Sequence, residues 1–426
     1  MKKATTIKEI YSVFAHEKFL KADDKDFYVD LYETDFKRFV VALKNNEIPS
    51  KAFFIAGQSG NGKSTVLNLL TTNYPELEDN FEFNYIAGRT IFLYEDIDIV
   101  DILIMIGNTL TKNNPTLQGK FFEKLQKLED VKDGLLEESS TNSDKSEENL
   151  GIKAKIGVGA KFLSILKASV DLESSYKINE EIRNDARRFF KIKRKELIDL
   201  INDIILDYKV LKNDGKSLVI VIDDLEKKDN IDNLFLKDIS LLNELNLIKI
   251  VTMPIHIHRN ETFPASDVRE FGLKLKTYDD NPTKDIELLR KVILKRLENT
   301  NLITEEAINL AIEYSGANLR QLIKIIHIAA EEALTFDSET ITDKEVQEAI
   351  NRLQRDYSSK AMNMKTFLND ILKNKFYEDN STNLTNIARA TKMELVFAYF
   401  NGIVWYEVNP IIKNILSKYT KQWNHF

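Results

Sequence analysis

An α/β protein with a parallel sheet and a helical unit behind it is predicted by three stretches of this 426-residue chain. Lys51 to Leu70, KAFFIAGQSGNGKSTVLNLL, joins an apolar run to a glycine-rich turn and the start of an apolar-periodic helix. Lys216 to Asp224, KSLVIVIDD, is an uninterrupted apolar strand ending on two aspartates, the pattern of a central parallel strand buried on both faces. From Lys284 onward only helical spacing remains until a short C-terminal tail.

Within the first stretch, Gly57, Gly62, Lys63 and Ser64 stand in the spacing G-x-x-x-x-G-K-[ST], with a strand before and a helix after. Gly57, Gln58, Ser59, Gly60, Asn61, Gly62, Lys63, Ser64 and Thr65 therefore read as a nucleotide phosphate loop. Glycines permit φ > 0 and let backbone N–H groups approach phosphate oxygens, and the helix N-terminus that follows favours an anion. Lys63 is expected to reach the β/γ-phosphates, Ser64 to offer its hydroxyl to Mg²⁺, and Thr65 to pack near the nucleotide. The second stretch delivers Asp223 and Asp224 at the carboxyl end of a buried strand, where ligands of open α/β sheets bind. Asp223 is expected to hold Mg²⁺ through water and Asp224 to orient the water that attacks the γ-phosphate, with Glu226 a second candidate for that role. ATP and Mg²⁺ are the expected cofactors.

Composition sets the bounds. With 43% hydrophobic and 30% charged residues the chain is globular, and its length predicts two to four domains. A net charge of −7 argues against a nucleic-acid coat, although local basic patches remain compatible with it. The absence of cysteine excludes disulfides, thiolate zinc sites and cysteine nucleophiles. MKKATTIKEIYSVF carries no apolar signal region, and no apolar run approaches the ~18 residues of a membrane span, so a cytoplasmic protein is expected.

Residues 1–50 hold two helical patterns around the aromatic stretch at Tyr28, and Tyr28 and Val29 are candidates either for a wall over the nucleotide base or for ordinary packing. The α/β core is expected at 51–135 and 211–283, with Asp96 or Asp98 opening a helix to Thr111, and strands at Ile248–Thr252 and Leu273–Thr277, Arg269 lying just before the last. Between the two core halves, 136–210 reads as an insertion: an acidic aperiodic loop, a β-hairpin over Ile152–Leu172 and one long helix over Ile178–Val210 that projects from the core. That helix carries Arg183, Arg187, Arg188, Lys191 and Arg194, of which Arg183, Arg187, Lys191 and Arg194 form one stripe, suited to nucleic-acid phosphates or an acidic partner, and equally to a solvated face. His256 and His258 lack partners at metal-ligand spacing. A helical lid is expected over 284–355, with Thr304 and Thr342 as N-caps and Glu345 completing a capping box. The tail, 356–426, reads as helix, helix, hairpin and helix, with Asn401-Gly402 as a two-residue turn, and is winged-helix-like; Glu394 and Glu407 weaken a DNA-binding reading of it.

A phosphate loop, a double-acid strand, a polar-ended next strand and a helical lid whose third helix opens on Gly316-Ala317-Asn318-Leu319-Arg320 resemble the AAA+ ATPases. The Asp-Asp-Leu-Glu ending, the Val-Thr-x-Pro segment and the tail look most like initiator-type and STAND-type prokaryotic ATPases, with KAP-type P-loop ATPases as cousins. The resemblance implies a sensor-one role for Thr252 and a sensor-two role for Arg320, which would touch the γ-phosphate and couple lid angle to nucleotide state. Arg259 and Arg269 are options for a trans-acting arginine finger. The chain is accordingly expected to be an Mg²⁺-dependent ATPase switch acting on a protein partner or its own assembly. The alternatives are a DNA-associated initiator-like ATPase and a low-turnover signalling scaffold, for example in antiviral defence.

Overall fold

The computed structural model describes residues 1–15, 20–88, 97–139, 180–225, 231–260, 262–264, 268–270, 283–377, 380–400 and 404–422. Its core is a five-stranded sheet in which every pairing is parallel: β1 (Ala52–Ala56), β2 (Phe81–Ala87), β3 (Ser217–Asp223), β4 (Ile248–Met253) and β5 (Val268–Glu270), in the order β2-β3-β4-β1-β5. The two strands with the longest apolar runs flank β4, and all residues of β1 and β4 are buried, as a sheet covered on both faces requires. The register sets Thr252 beside Ile55 and Val251 beside Ile222, so the loop after β1 and the aspartates after β3 emerge on either side of the β4 terminus.

The sheet carries at its edge a strand that the sequence does not predict. β5 uses Val268–Glu270, with Arg269 at its centre opposite Ile55, while 273–277 falls outside the described residues.

Helix α1 (Ile7–Val13) packs on the lid rather than on the sheet, and the N-terminal residues are fastened to the lid by Ala4 N–H to Arg296 O and Glu298 N–H to Ala4 O, both 2.9 Å. The N-terminal segment therefore spans two layers, because α2 (Glu33–Lys44) returns to the core through Phe36, Phe39 and Leu43. After β1 come α3 (Lys63–Asn68) and α4 (Leu70–Asn73), and after β2 come α5 (Ile99–Thr111) and α6 (Pro115–Ser139). Asp98 caps α5 in a capping box with Asp101, so the second of the two predicted cap residues is used.

The expected projecting helix is two helices, α7 (Glu180–Ile192) and α8 (Arg194–Lys212), broken at Lys193 with φ −97° and ψ 34°, and both lie against the core. Phe190, Leu197, Ile201 and Ile204 are fully or nearly buried, and burial of this apolar stripe holds the pair down. The predicted hairpin over 152–172 lies outside the described residues, and the acidic stretch from Leu136 begins inside α6.

The lid comprises α9 (Thr283–Leu294), α10 (Glu305–Ser315), α11 (Leu319–Thr335) and α12 (Asp343–Asn363). Thr304, Asn318 and Thr342 cap the last three of these, with the Thr342/Glu345 box formed as the sequence predicts. No break separates lid from tail at residue 355, since α12 runs through that boundary. The tail continues with α13 (Lys365–Asn374), α14 (Ser381–Lys392), an antiparallel hairpin β6 (Val396–Phe400) and β7 (Val404–Val408), and α15 (Pro410–Gln422); the Asn401-Gly402 turn lies outside the described residues. The tail is seated on the lid by reciprocal side-chain hydrogen bonds between Gln321 and Asn409, 3.0 and 2.8 Å, and by the Tyr399 hydroxyl to Gly316 O at 2.8 Å. Among the described residues no helix is long and apolar enough to cross a membrane.

Candidate functional site

The loop after β1 is anchored at its start by Gly57 N–H donating to Met253 O at 3.2 Å, which ties it to the end of β4. Gly60 and Gly62 take φ of +87° and +84°, a conformation that favours glycine, and Gly62 is the N-cap of α3. Among the described residues the amides of Gly60, Gly62, Ser64 and Thr65 have no protein acceptor. A row of such donors where a helix begins is the donor set a phosphate chain requires. The buried Lys63 ammonium donates to Gly57 O and Gln58 O at 2.9 and 3.0 Å, which keeps it folded under the loop. Ser64 and Thr65 are half-buried on the first turn of α3.

Asp223 ends β3, and Asp224 follows in the left-handed region at φ +64°, unusual for a residue with a side chain. Its amide donates both to Asp223 Oδ1 at 2.7 Å and to Thr252 Oγ1 at 3.0 Å, so the polar end of β4 holds the turn that carries the acids. Asp224 and Thr252 are buried, and Asp223 is half-buried. Gly88, just past β2, has no space for a side chain: a Cβ there would lie 2.9 and 2.8 Å from the carbonyl oxygens of Asp223 and Asp224. Tyr85 links this turn to the phosphate-loop helix. Its hydroxyl donates to Leu67 O at 2.9 Å, and burial, followed by the Asp223 charge, pushes it up to about 12. The hard oxygens of Ser64 and Asp223 fit Mg²⁺, an ion that keeps most of its waters and takes one or two protein ligands; no cluster of three His, Asp or Glu able to hold a metal occurs among the described residues.

Three other parts of the chain close on the loop. From the N-terminal segment, Tyr32 is buried and its hydroxyl donates to Asn61 O. From the lid, Asn318 caps α11 with its Oδ1 and donates from Nδ2 to Ser59 O at 2.7 Å, while Arg320 N–H reaches Gly60 O at 3.2 Å and Arg320 Nη1 reaches Ser59 Oγ at 2.6 Å. From the tail, Gln58 is matched by β6: its Nε2 donates to Val396 O at 3.0 Å and its Oε1 accepts from Ala398 N–H at 2.9 Å. Tyr32, Asn318 and the β6 contacts were not legible as site features, although the Asn318 capping position carried a local signal.

Other predicted residues lie elsewhere or face otherwise. Tyr28 and Val29 are half-buried; the Tyr28 hydroxyl donates to Asp30 at 3.3 Å and its ring packs beside Leu20, Phe27 and Leu69, the last at the end of the phosphate-loop helix. Glu226 lies outside the described residues, as does the Arg269 side chain. Arg259 is turned onto the tail hairpin, with Nη2 3.4 Å from Tyr399 O and its guanidinium 5.3 Å from the Tyr406 ring centroid. His256 pairs with Asp232 at 2.9 Å. The basic stripe is not a uniform solvated face. Arg187 is buried and bound by Asp101, Lys191 pairs with Asp98 at 2.5 Å and Arg194 with Asp238 at 3.6 Å; Arg188 is exposed, and the Arg183 side chain lies outside the described residues. Acids contributed by other elements pair with three of these cations, of which only Arg187 is buried.

A family model described as the KAP family P-loop domain matches residues 36–251, just over half of the chain. The chain belongs to the KAP family. Its KAP domain runs from within α2 to within β4, takes in the phosphate loop and Asp223-Asp224, and stops one residue before Thr252; the lid and tail of this KAP protein follow. No curated protein matches the chain. Among solved structures, a chain of Drosophila ORC bound to DNA is 12% identical with a TM-score of 0.43, covering 98% of this chain and 93% of that one. Cdc6p from Pyrobaculum aerophilum is 12% identical with a TM-score of 0.43 and coverages of 96% and 98%, and the Aeropyrum pernix ORC2 protein in its ADPNP-ADP complexes is 12% identical with a TM-score of 0.37 and the same coverages. The family match bears out the P-loop, KAP-like resemblance read from the sequence.

Proposed function

We propose that this KAP-family P-loop NTPase is an Mg²⁺-dependent ATPase switch, in which the state of the nucleotide sets how the lid and tail sit on the core. One observation supports this reading above the others: the phosphate loop is bonded simultaneously by the lid through Asn318 and Arg320 and by the tail through Val396 and Ala398. A loop that must adjust to a triphosphate transmits that adjustment to whatever is fastened to it. Lys63 and the loop amides hold the β- and γ-phosphates, Ser64 and Asp223 serve the magnesium ion, and Mg²⁺ when bound neutralises charge on the transferring phosphoryl group. Asp224 orients the attacking water, with Glu226 as a second candidate; Thr252 holds the Asp224 turn in place, and Arg320 meets the γ-phosphate.

The coupled element is a protein partner or a second copy of the chain. A DNA-associated role is less favoured by the stripe, since its described members Arg187, Lys191 and Arg194 are in ion pairs with acids of the chain itself. ATP turnover and nucleotide affinity of the full chain test the reading: Asp224→Asn should cut turnover by about 10²-fold or more while sparing binding, and Lys63→Ala should chiefly weaken binding. Retained nucleotide with no turnover in the wild type would instead favour a signalling scaffold, including one serving antiviral defence. Absence of nucleotide binding would refute both.

A further inference from the structure

Arg320 is not held by the phosphate loop alone. Its Nη1 is shared between Ser59 Oγ at 2.6 Å and Glu394 Oε1 at 3.2 Å, and Glu394 belongs to the tail, just ahead of β6. The carboxylate is fixed from several directions. Its Oε2 accepts from the Tyr357 hydroxyl of α12 at 3.1 Å, its backbone carbonyl accepts from Asn409 Nδ2 at 2.8 Å, its N–H reaches Thr391 O at 3.2 Å, and its φ is +60°. The ion pair is screened from solvent, with side-chain exposures of 21% and 19%. Burial and the Glu394 charge together push the Tyr357 hydroxyl above the ordinary phenol range, so it remains a donor to that carboxylate. A built-in anion thus stands one guanidinium away from the loop that receives the nucleotide's anions.

We infer that Glu394 is a specificity-determining residue: it competes with the terminal phosphate for Arg320, so that the tail carboxylate sets how strongly the chain prefers a nucleoside triphosphate to the diphosphate. This rests on the nucleotide reading above. Two anions on one guanidinium repel each other, and each weakens the other's claim on the cation. Only a nucleotide long enough to reach Arg320 meets that competition, since Lys63 and the loop amides also hold a diphosphate through its β-phosphate. By reciprocity, a triphosphate that draws Arg320 away loosens Glu394, and with it the β6 segment whose Val396 and Ala398 are bonded to Gln58.

The test is calorimetric titration of Mg-ATPγS and of Mg-ADP into the full chain, comparing wild type, E394Q, R320Q and the double variant. E394Q keeps the size and the Tyr357 bond and removes the charge. It should tighten ATPγS by about three- to tenfold and ADP by less than about twofold, and with R320Q present it should leave the ratio of the two affinities unchanged. Weaker ATPγS binding by E394Q, or equal changes for both nucleotides, would overturn the inference while leaving nucleotide binding intact. A wild-type chain that binds neither nucleotide would remove both readings. Should E394Q fail to fold, hydrogen exchange of wild-type residues 394–398 decides: faster exchange with ATPγS than with ADP supports the competition, and equal or slower exchange overturns it.

Discussion

The side chain of Gln58 meets Ala398, 340 positions later, as a neighbouring strand would: its Oε1 accepts the Ala398 N–H at 2.9 Å while its Nε2 donates to Val396 O at 3.0 Å. On β6 the carbonyl of one residue and the amide two residues on point the same way, so a single primary amide satisfies both. Replacement by alanine leaves two buried backbone groups of the tail unpaired. Gln58→Ala should therefore destabilise the seating of the tail by about 2–4 kcal/mol. Limited proteolysis should cut the variant after residue 363 well before the core, a difference that vanishes if the contact contributes nothing.

Thr252 and Asp224 test the support of the acidic turn. Thr252→Val keeps the shape of a fully buried side chain but removes the oxygen that accepts the Asp224 amide. A loss of about 1–3 kcal/mol is expected, together with a drop in turnover that exceeds any change in nucleotide affinity. Thr252→Ser, which retains the hydroxyl, should recover most of both. Chemical denaturation beside steady-state ATPase assays would show it.

Two glycines make a matched pair. A Cβ on Gly88 would press on the Asp223 and Asp224 carbonyls, whereas one on Gly119, inside α6, would meet nothing within 4 Å. Gly88→Ala should cost about 2 kcal/mol or more and displace the acids, because backbone on both sides must give way. Gly119→Ala should be neutral or stabilise by up to about 1 kcal/mol through helix propensity. Similar melting temperatures for the two variants would contradict this account.

Lys249 gives the pH dependence. It is completely buried on β4, donates to Ser50 O and Leu245 O at 2.8 and 3.0 Å, and burial alone lowers it to about 7. In the unfolded chain a lysine keeps its proton up to about pH 10.4. Between pH 7 and 10 the unfolded state therefore binds more protons than the folded one, and folding stability contributed by this residue rises with pH across that window. Urea denaturation of wild type and Lys249→Met should show the stability difference moving in favour of wild type from pH 7 to pH 10. A difference that stays flat would mean that Lys249 remains charged in the fold.

Much of the architecture was legible because it rests on short-range chemistry. The phosphate loop with Lys63 and Ser64, the buried strand delivering Asp223 and Asp224, and the caps at Thr304 and Thr342 all follow from residue types within a few positions of one another. The break at Lys193 was not legible, because the apolar stripe continues across it, with Phe190 buried before it and Leu197 and Ile201 after it. The role of the basic stripe was not legible for a related reason: the same spacing of cations serves a solvated face and a face bound to acids, and the acids, Asp98, Asp101 and Asp238, come from other elements.

By itself the sequence determined that a phosphate loop and a pair of aspartates exist and that each ends a buried strand, since backbone conformation and burial are written in local pattern. The tertiary structure alone decided what touches that loop. Tyr32, Asn318, Arg320, Gln58 and Glu394 become neighbours only when sheet, lid and tail pack, through contacts spanning 29 to 340 positions, and no periodicity encodes a partner at such distance.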